Sequence, residues 1–135
     1  MITEDYVSFE TAKLLKEKGF DGDCYAYWDL TTETKTPKIG LSVSSKNWNY
    51  KWNPISFPIS APTLQMAMKW LRKIHSLEIY PYHNSPNNRH NSGWWFEIIK
   101  YPNSVAEYES GIDEEFDTHE EACEAAIKYC LENLI

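Results

Sequence analysis

Four histidines, His75, His83, His90 and His119, are the first side chains to test for chemistry. His83 and His90 flank a polar loop and could meet across a hairpin, with Glu78 or Glu97 on the same strands. Two imidazoles and one carboxylate make a weak metal set, short of the four ligands of a structural zinc site. They read as solvent-exposed loop histidines. His75 falls at a helix end, where it would complement the dipole or pack at an edge. His119 falls in the first turn of another helix and reads as exposed. The three cysteines, Cys24, Cys123 and Cys130, form an odd set without a C-x-x-C pair. Cys123 and Cys130 share one helical face and read as small core residues, and Cys24 sits on a strand's apolar side. Asp113, Glu114, Glu115 and Asp117 are contiguous in a loop, which is the pattern of a solvated acidic surface. Acid–base work needs two carboxyls held apart in unlike environments. Asp21-Gly22-Asp23 reads as a turn and lacks the remaining ligands of a calcium loop. No phosphate-loop, dinucleotide, nucleophile-elbow or zinc-protease motif occurs. No catalytic residue, metal or cofactor is expected.

The aromatic residues carry more weight. Trp48, Tyr50 and Trp52 alternate along one segment, with Lys46 and Lys51 beside them. Exposed, such a row stacks on bases or sugars; buried, it lines the inner face of a sheet. A second candidate surface is the helix around Trp70. Lys69, Arg72 and Lys73 lie on one face of it at i, i+3 and i+4. Trp70 sits beside the apolar stripe, as a half-covered interface anchor would.

The elements that must position these residues can be read from periodicity and punctuation. Ser8 caps a first helix with Phe9, Ala12 and Leu15 on its apolar side, and Gly19 stops it in a left-handed conformation. Lys13, Lys16 and Lys18 crowd toward its negative end. Residues 24–30 alternate as a strand, and Ile39, Leu41 and Val43 mark a returning one. Asn47 to Asn53 alternate again, as a further strand or a continuation past a bulge. A second helix spans about Pro62 to Ser76. Ser60 or Ala61 caps it, Pro62 lies in its first turn, and Leu64, Ala67, Met68, Leu71 and Ile74 or His75 form its stripe. Leu77–Tyr82 and residues 94–101 form a hairpin around the polar tip 83–93, with Pro81 pushing its strand to a sheet edge. Residues 84–92 hold no apolar anchor, so the tip is expected to be mobile. Residues 102–116 are polar and acidic, with room for a short strand. Thr118 and Glu121 form a capping box for a third helix with a wide apolar face. The order is α-β-β-α-β-β-α in a single α+β domain. One antiparallel sheet of four or five strands is expected, packed by the helices. Ala67-Met68-Lys69-Trp70-Leu71 and Ala126-Ile127-Lys128-Tyr129-Cys130 hint at a duplicated ββα unit.

Composition bounds the function. The chain has 135 residues, a formal net charge of −7 and 15% aromatic residues. No apolar run is long enough to span a bilayer, and the start lacks a basic, then apolar, signal sequence. With an odd cysteine count, this points to reduced thiols and a cytoplasmic setting. The charge is uneven: residues 1–30 carry −4, residues 31–104 carry +6 and residues 105–135 carry −9. Overall acidity opposes non-specific nucleic-acid binding, while the basic middle keeps a local version open. The acids of 107–121 either fold over the basic helix face within one chain or reach a neighbouring chain.

Three stretches carry a resemblance. Tyr6-Val7-Ser8-Phe9-Glu10-Thr11-Ala12-Lys13-Leu14-Leu15-Lys16-Glu17-Lys18-Gly19-Phe20 is similar to the start of a group of small uncharacterised proteins of gut Bacteroidales genomes, phages and mobile elements. Ser60 through Arg72 and Thr118 through Ile135 are similar to their central and last helices. The alternation of helices and hairpins resembles, in pattern, the phage αβα-sandwich domain. The resemblance implies a phage- or mobile-element-associated setting and supplies no catalytic residues.

Three function classes follow. A non-catalytic accessory protein, acting through protein–protein contacts or a weak homodimer, is the leading expectation. A nucleic-acid-associated accessory protein using the basic, aromatic-rich middle is the alternative. No constellation of residues supports an enzyme. The candidate binding surface is Trp70, Lys69, Arg72, Lys73, Trp48, Tyr50 and Trp52, and no membrane partner is expected.

Overall fold

The computed structural model describes residues 2–30, 35–50, 57–84, 93–111 and 114–135. Helix α1 spans Phe9–Glu17. Ser8 Oγ accepts the Thr11 amide at 3.2 Å, as an N-cap does. At the other end Gly19 takes a φ of +90°. The Gly19 amide donates to the Lys16 carbonyl at 3.1 Å, and the Phe20 amide to the Leu15 carbonyl at 2.9 Å. This paired closure satisfies the last carbonyls of the helix, and Phe20 is buried with Leu15 in the core.

Strands β1 (Cys24–Leu30), β2 (Pro37–Lys46) and β3 (Ile59–Ser60) form one antiparallel sheet in the order β2-β1-β3. Gly40 must be small here: a Cβ on it would lie 2.6 Å from Tyr27 Cζ on the neighbouring strand. The apolar residues of β2 do not reach the core. Val43 is fully exposed and Leu41 is 67% exposed. Helix α1 packs at β3, and β2 lies two strand spacings away, about 10 Å, so it overhangs the core. The alternation expected over 47–53 is not a strand where it is described. Trp48 and Asn49 form a turn, and 51–56 lie outside the described residues.

Helix α2 spans Leu64–His75. Its cap is Thr63, whose Oγ1 accepts the Met66 amide at 3.1 Å, rather than Ser60 or Ala61. Pro62 therefore precedes the helix. Its carbonyl accepts the Val7 amide at 3.0 Å, and the Asp5 carbonyl accepts the Leu64 amide at 2.9 Å. The segment before α1 is thereby laced to the start of α2, with Tyr6 bridging Thr63. Leu64, Ala67, Met68 and Leu71 are buried. Of the two residues offered for the end of the stripe, Ile74 is 62% exposed and His75 is half-buried.

Strands β4 (Leu77–Asn84), β5 (Gly93–Lys100) and β6 (Val105–Glu109) form a second antiparallel sheet, a meander in the order β4-β5-β6. Pro81 sits on the edge strand β4, where a missing amide donor is tolerated. Of the expected loop 84–92, residues 85–92 lie outside the described residues. Helix α3 spans His119–Tyr129 and continues as a π-helical turn over Cys130–Leu134. Thr118 Oγ1 accepts the Glu121 amide at 3.1 Å. The Glu121 carboxylate reaches one residue further back than a capping box expects, to the Asp117 amide at 3.2 Å.

The fold is α+β, with three helices and two three-stranded sheets among the described residues. This corrects the single sheet of four or five strands. The order is α-β-β-β-α-β-β-β-α, because β3 and β6 each add a strand. A duplicated ββα unit is not matched, since the first strand is central in one sheet and at the edge of the other.

Helix α3 packs on β4 and β5 and touches α1 and α2. Its Ala122, Cys123, Ala126 and Ile127 are fully enclosed, and the π turn buries Cys130 and Leu131. An Ile127→Asp substitution buries a charge with no partner, so unfolding should become easier by more than about 3 kcal/mol in urea denaturation. An unchanged urea midpoint would contradict this placement of α3.

Candidate functional site

The structure separates the sequence-derived candidates into two places. Trp48 is half-buried and pinned. Its indole Nε1 donates to the Cys24 carbonyl at 2.8 Å, and its amide donates to Ser60 Oγ at 2.9 Å. Tyr27 packs against it with ring centroids 4.4 Å apart, and Lys46 Nζ sits 4.2 Å from its ring centroid. Tyr50 is exposed, with Lys46 Nζ 5.7 Å from its ring. Trp52 lies outside the described residues, as does Lys51. Trp48 and Tyr50 do not form an open stacking row: Trp48 has Tyr27 and Lys46 set against its ring.

Trp70 is half-buried on α2, edge-on to Phe20 at 5.6 Å and to His75 at 4.7 Å. Arg72 is paired with Glu78 at 3.4 Å. Lys69 and Lys73 are exposed and form no ion pair among the described residues. The acidic segment therefore does not fold over this face in the described part of the chain. Burial, then the nearby Lys18 ammonium, lowers the His75 pKa, because both oppose a second positive charge.

Two of the other histidines, His83 and His119, meet on one indole, that of Trp94. His83 packs on the Trp94 ring at 5.2 Å, and His90 lies outside the described residues. His119 is less exposed than its position suggests. It packs on Trp94 at 5.1 Å, and its Nδ1 lies 3.7 Å from Cys123 Sγ. The loop acids are taken up locally: Glu114 accepts from the Tyr108 hydroxyl, and Glu115 accepts from Trp95 Nε1 at 3.2 Å. Asp113 lies outside the described residues. Among the described residues no three histidine, cysteine or carboxylate side chains converge in metal-binding geometry. Cys24, Cys123 and Cys130 are free and buried, and desolvation pushes each thiol up to about 12. Such thiols hold their protons at neutral pH and are poor nucleophiles.

The best-formed concave feature is one that the sequence did not announce. An open groove of about 810 Å³ runs between residues 4–8, the start of α1 and the outer side of α3. Trp28, Ile39, Phe116 and Ala125 supply its apolar surface, over the buried Val7 and Leu64. Six carboxylates line it: Glu4, Asp5, Glu10, Glu120, Glu121 and Glu124. Its one lysine, Lys128, is already held by Glu10 at 3.1 Å. Each wall is placed by backbone chemistry. The Asp5–Leu64 and Val7–Pro62 hydrogen bonds fix the near side. The Thr118 cap starts α3 so that Glu120, Glu121 and Glu124 flank the opening. Glu124 joins the two sides: one carboxylate oxygen accepts the Ser8 amide at 2.9 Å. The other, Oε2, is buried without a hydrogen-bond partner among the described residues. The only signal for the site in the sequence was the pile-up of acids near residues 4–10 and 120–124. Nothing local said that these two stretches meet.

The chain matches no protein-family model, no curated protein and no solved structure. No helix among the described residues is long and apolar enough to cross a membrane.

Burial of all three thiols has a direct readout. At pH 8 the folded protein should leave Cys24, Cys123 and Cys130 unmodified by a disulfide reagent, and urea should release all three. Native-state modification at the rate of a free thiol would contradict the packing of that cysteine. The same shifts set a sign for alkaline pH. A thiol whose folded pKa is raised contributes stability below the unfolded value of about 9, lost as pH rises toward the folded value of about 12. Denaturant midpoints should therefore fall progressively above pH 9.

Proposed function

We propose that this chain is a non-catalytic binding module acting through protein–protein contacts, and that the acid-rimmed groove is its docking surface. The observation that carries this reading is the pairing of an apolar floor with six carboxylates and no unpaired cation. Apolar surface supplies affinity, and a one-signed rim selects the partner and speeds encounter. The matching ligand is a segment that presents lysine or arginine beside leucine-like side chains. The burial of the three thiols supports a role without thiol chemistry. A phage- or mobile-element setting belongs to the proposal on the strength of the resemblance alone.

A second reading, a nucleic-acid-associated accessory protein, draws on one observation. Lys46, exposed Tyr50 and exposed Tyr25 lie in the first sheet and the turn beside it. It is the weaker of the two, because the Trp48 ring is engaged by Tyr27 and Lys46 and the chain is acidic overall.

Fluorescence anisotropy separates them, with three probes: a labelled lysine–leucine peptide, a glutamate–leucine peptide of equal length and a labelled oligothymidine. The lysine–leucine peptide should bind, and the glutamate–leucine peptide should not. A Glu4→Lys, Glu120→Lys double variant should weaken the lysine–leucine complex by roughly tenfold or more. Binding of the oligothymidine that collapses steeply with salt, without peptide binding, would replace the first reading by the second.

A further inference from the structure

The chain carries a surface of the chemistry that the groove requires. On α2, Lys69, Trp70, Lys73 and Ile74 fall at i, i+1, i+4 and i+5, and so share one stripe of the helix. Lys69 and Lys73 are exposed, and neither is in an ion pair among the described residues. Ile74 is 62% exposed, on the far side of Trp70 from the two lysines. Trp70 lies half-buried beside them, braced by Phe20 and His75. Two adjacent lysines beside an indole edge and an isoleucine are the complement of carboxylates beside an apolar floor.

This face cannot enter the groove of its own chain. Leu64, the first residue of α2, lines the groove. At 1.5 Å per residue, Lys69 and Lys73 stand about 8 and 14 Å further along the helix axis. Helix α2 is fixed at both ends, by the Thr63 cap and by Ser76 in the left-handed region. The two complementary surfaces are rigidly apart in one molecule and free to meet between two.

We propose that the groove is occupied by the Lys69–Ile74 face of α2 from a second copy of this chain, in a head-to-tail contact. The proposal rests on the protein-docking reading of the groove. Each contact uses one groove and one helix face and leaves one of each unused. The association is heterologous and adds copies without closing on a two-fold axis. It is weak, because exposed ion pairs contribute little and the apolar share is small. It is best seen near physiological salt, where a Debye length of about 8 Å screens repulsion between two acidic copies and leaves short contacts intact.

Sedimentation equilibrium tests this with the intact protein and two variants whose altered residues are all exposed. Ile74→Asp spoils the helix face and keeps the groove. Glu4→Lys with Glu120→Lys spoils the groove and keeps the helix face. The wild type should rise in average mass with concentration up to about 1 mM and pass twice the monomer mass without a plateau. Each variant alone should stay monomeric, with its circular dichroism unchanged. An equimolar mixture should reach a one-to-one dimer and stop, because only one intact groove and one intact helix face remain in the pair. A monomeric wild type at about 1 mM, a wild type that stops at a dimer, or a mixture that stays monomeric would each overturn the proposal. If the wild type is monomeric yet the lysine–leucine peptide binds in a Glu4- and Glu120-dependent way, self-association falls and the docking reading stands. If neither occurs, both fall.

Discussion

The enclosure of α3 is the constraint on which the rest of the molecule depends. Ala122, Cys123, Ala126 and Ile127 have no exposed surface, and the following π turn buries Cys130 and Leu131. Small residues at four of these six positions let neighbours approach closely, and α3 accordingly meets β4, β5, α1 and α2. Each interface removes apolar surface from water, and together they leave α3 only one open side. That side carries Glu120, Glu121, Glu124 and Lys128. The acids stand at the helix start, where the positive end of the dipole favours them. What buries the helix thus also fixes where its charges face.

The same rigidity accounts for the fate of the charge asymmetry. A basic middle and an acidic last third could neutralise each other only if the elements bearing them were free to move. They are not: α2 is capped at both ends, and α3 is locked in the core. Two ion pairs, Arg72 with Glu78 and Lys128 with Glu10, each join elements that are already packed together. A chain that keeps unlike patches apart pays in unrelieved like-charge repulsion and gains surfaces with a defined sign.

Much of the local structure was legible in the sequence. Ser8, Gly19 and Thr118 follow from capping chemistry that involves few residues, and the β4–β5 pairing from the two apolar runs on either side of the polar stretch. So does the apolar face of α3, whose period fixes its burial. The errors came where tertiary context decides. Periodicity sees that Ile39, Leu41 and Val43 share one side of β2, but not that α1 stops short of that strand. It leaves Ile74 and His75 as alternatives for the end of the α2 stripe, and packing turns His75 inward and Ile74 out. Thr63 displaced Ser60 and Ala61 as cap because β3 recruited Ser60 into a sheet, a pairing two residues long that leaves almost no pattern. Trp48 was visible as an aromatic of uncertain facing. Its partners Tyr27 and Lys46 become neighbours only when β1 and β2 pair.

The largest departure and the missed site have one origin. A single continuous sheet would have run its apolar face unbroken under the helices. Two three-stranded sheets leave a seam. On one side of it lie Trp28 and Ile39 of the first sheet; on the other lies Phe116, bridged to Trp94 of the second. The segment 5–7 closes the seam only in part, by pairing with 62–64. Its own length and direction are set by those bonds, so it cannot also cover Ile39 and Ala125. The floor of the groove is thus apolar surface that the split sheets could not bury. Its rim is acidic because the nearest helix start is that of α3. The groove arises from a packing shortfall at the junction of two sheets, and the capping chemistry of one helix gives that shortfall its charge.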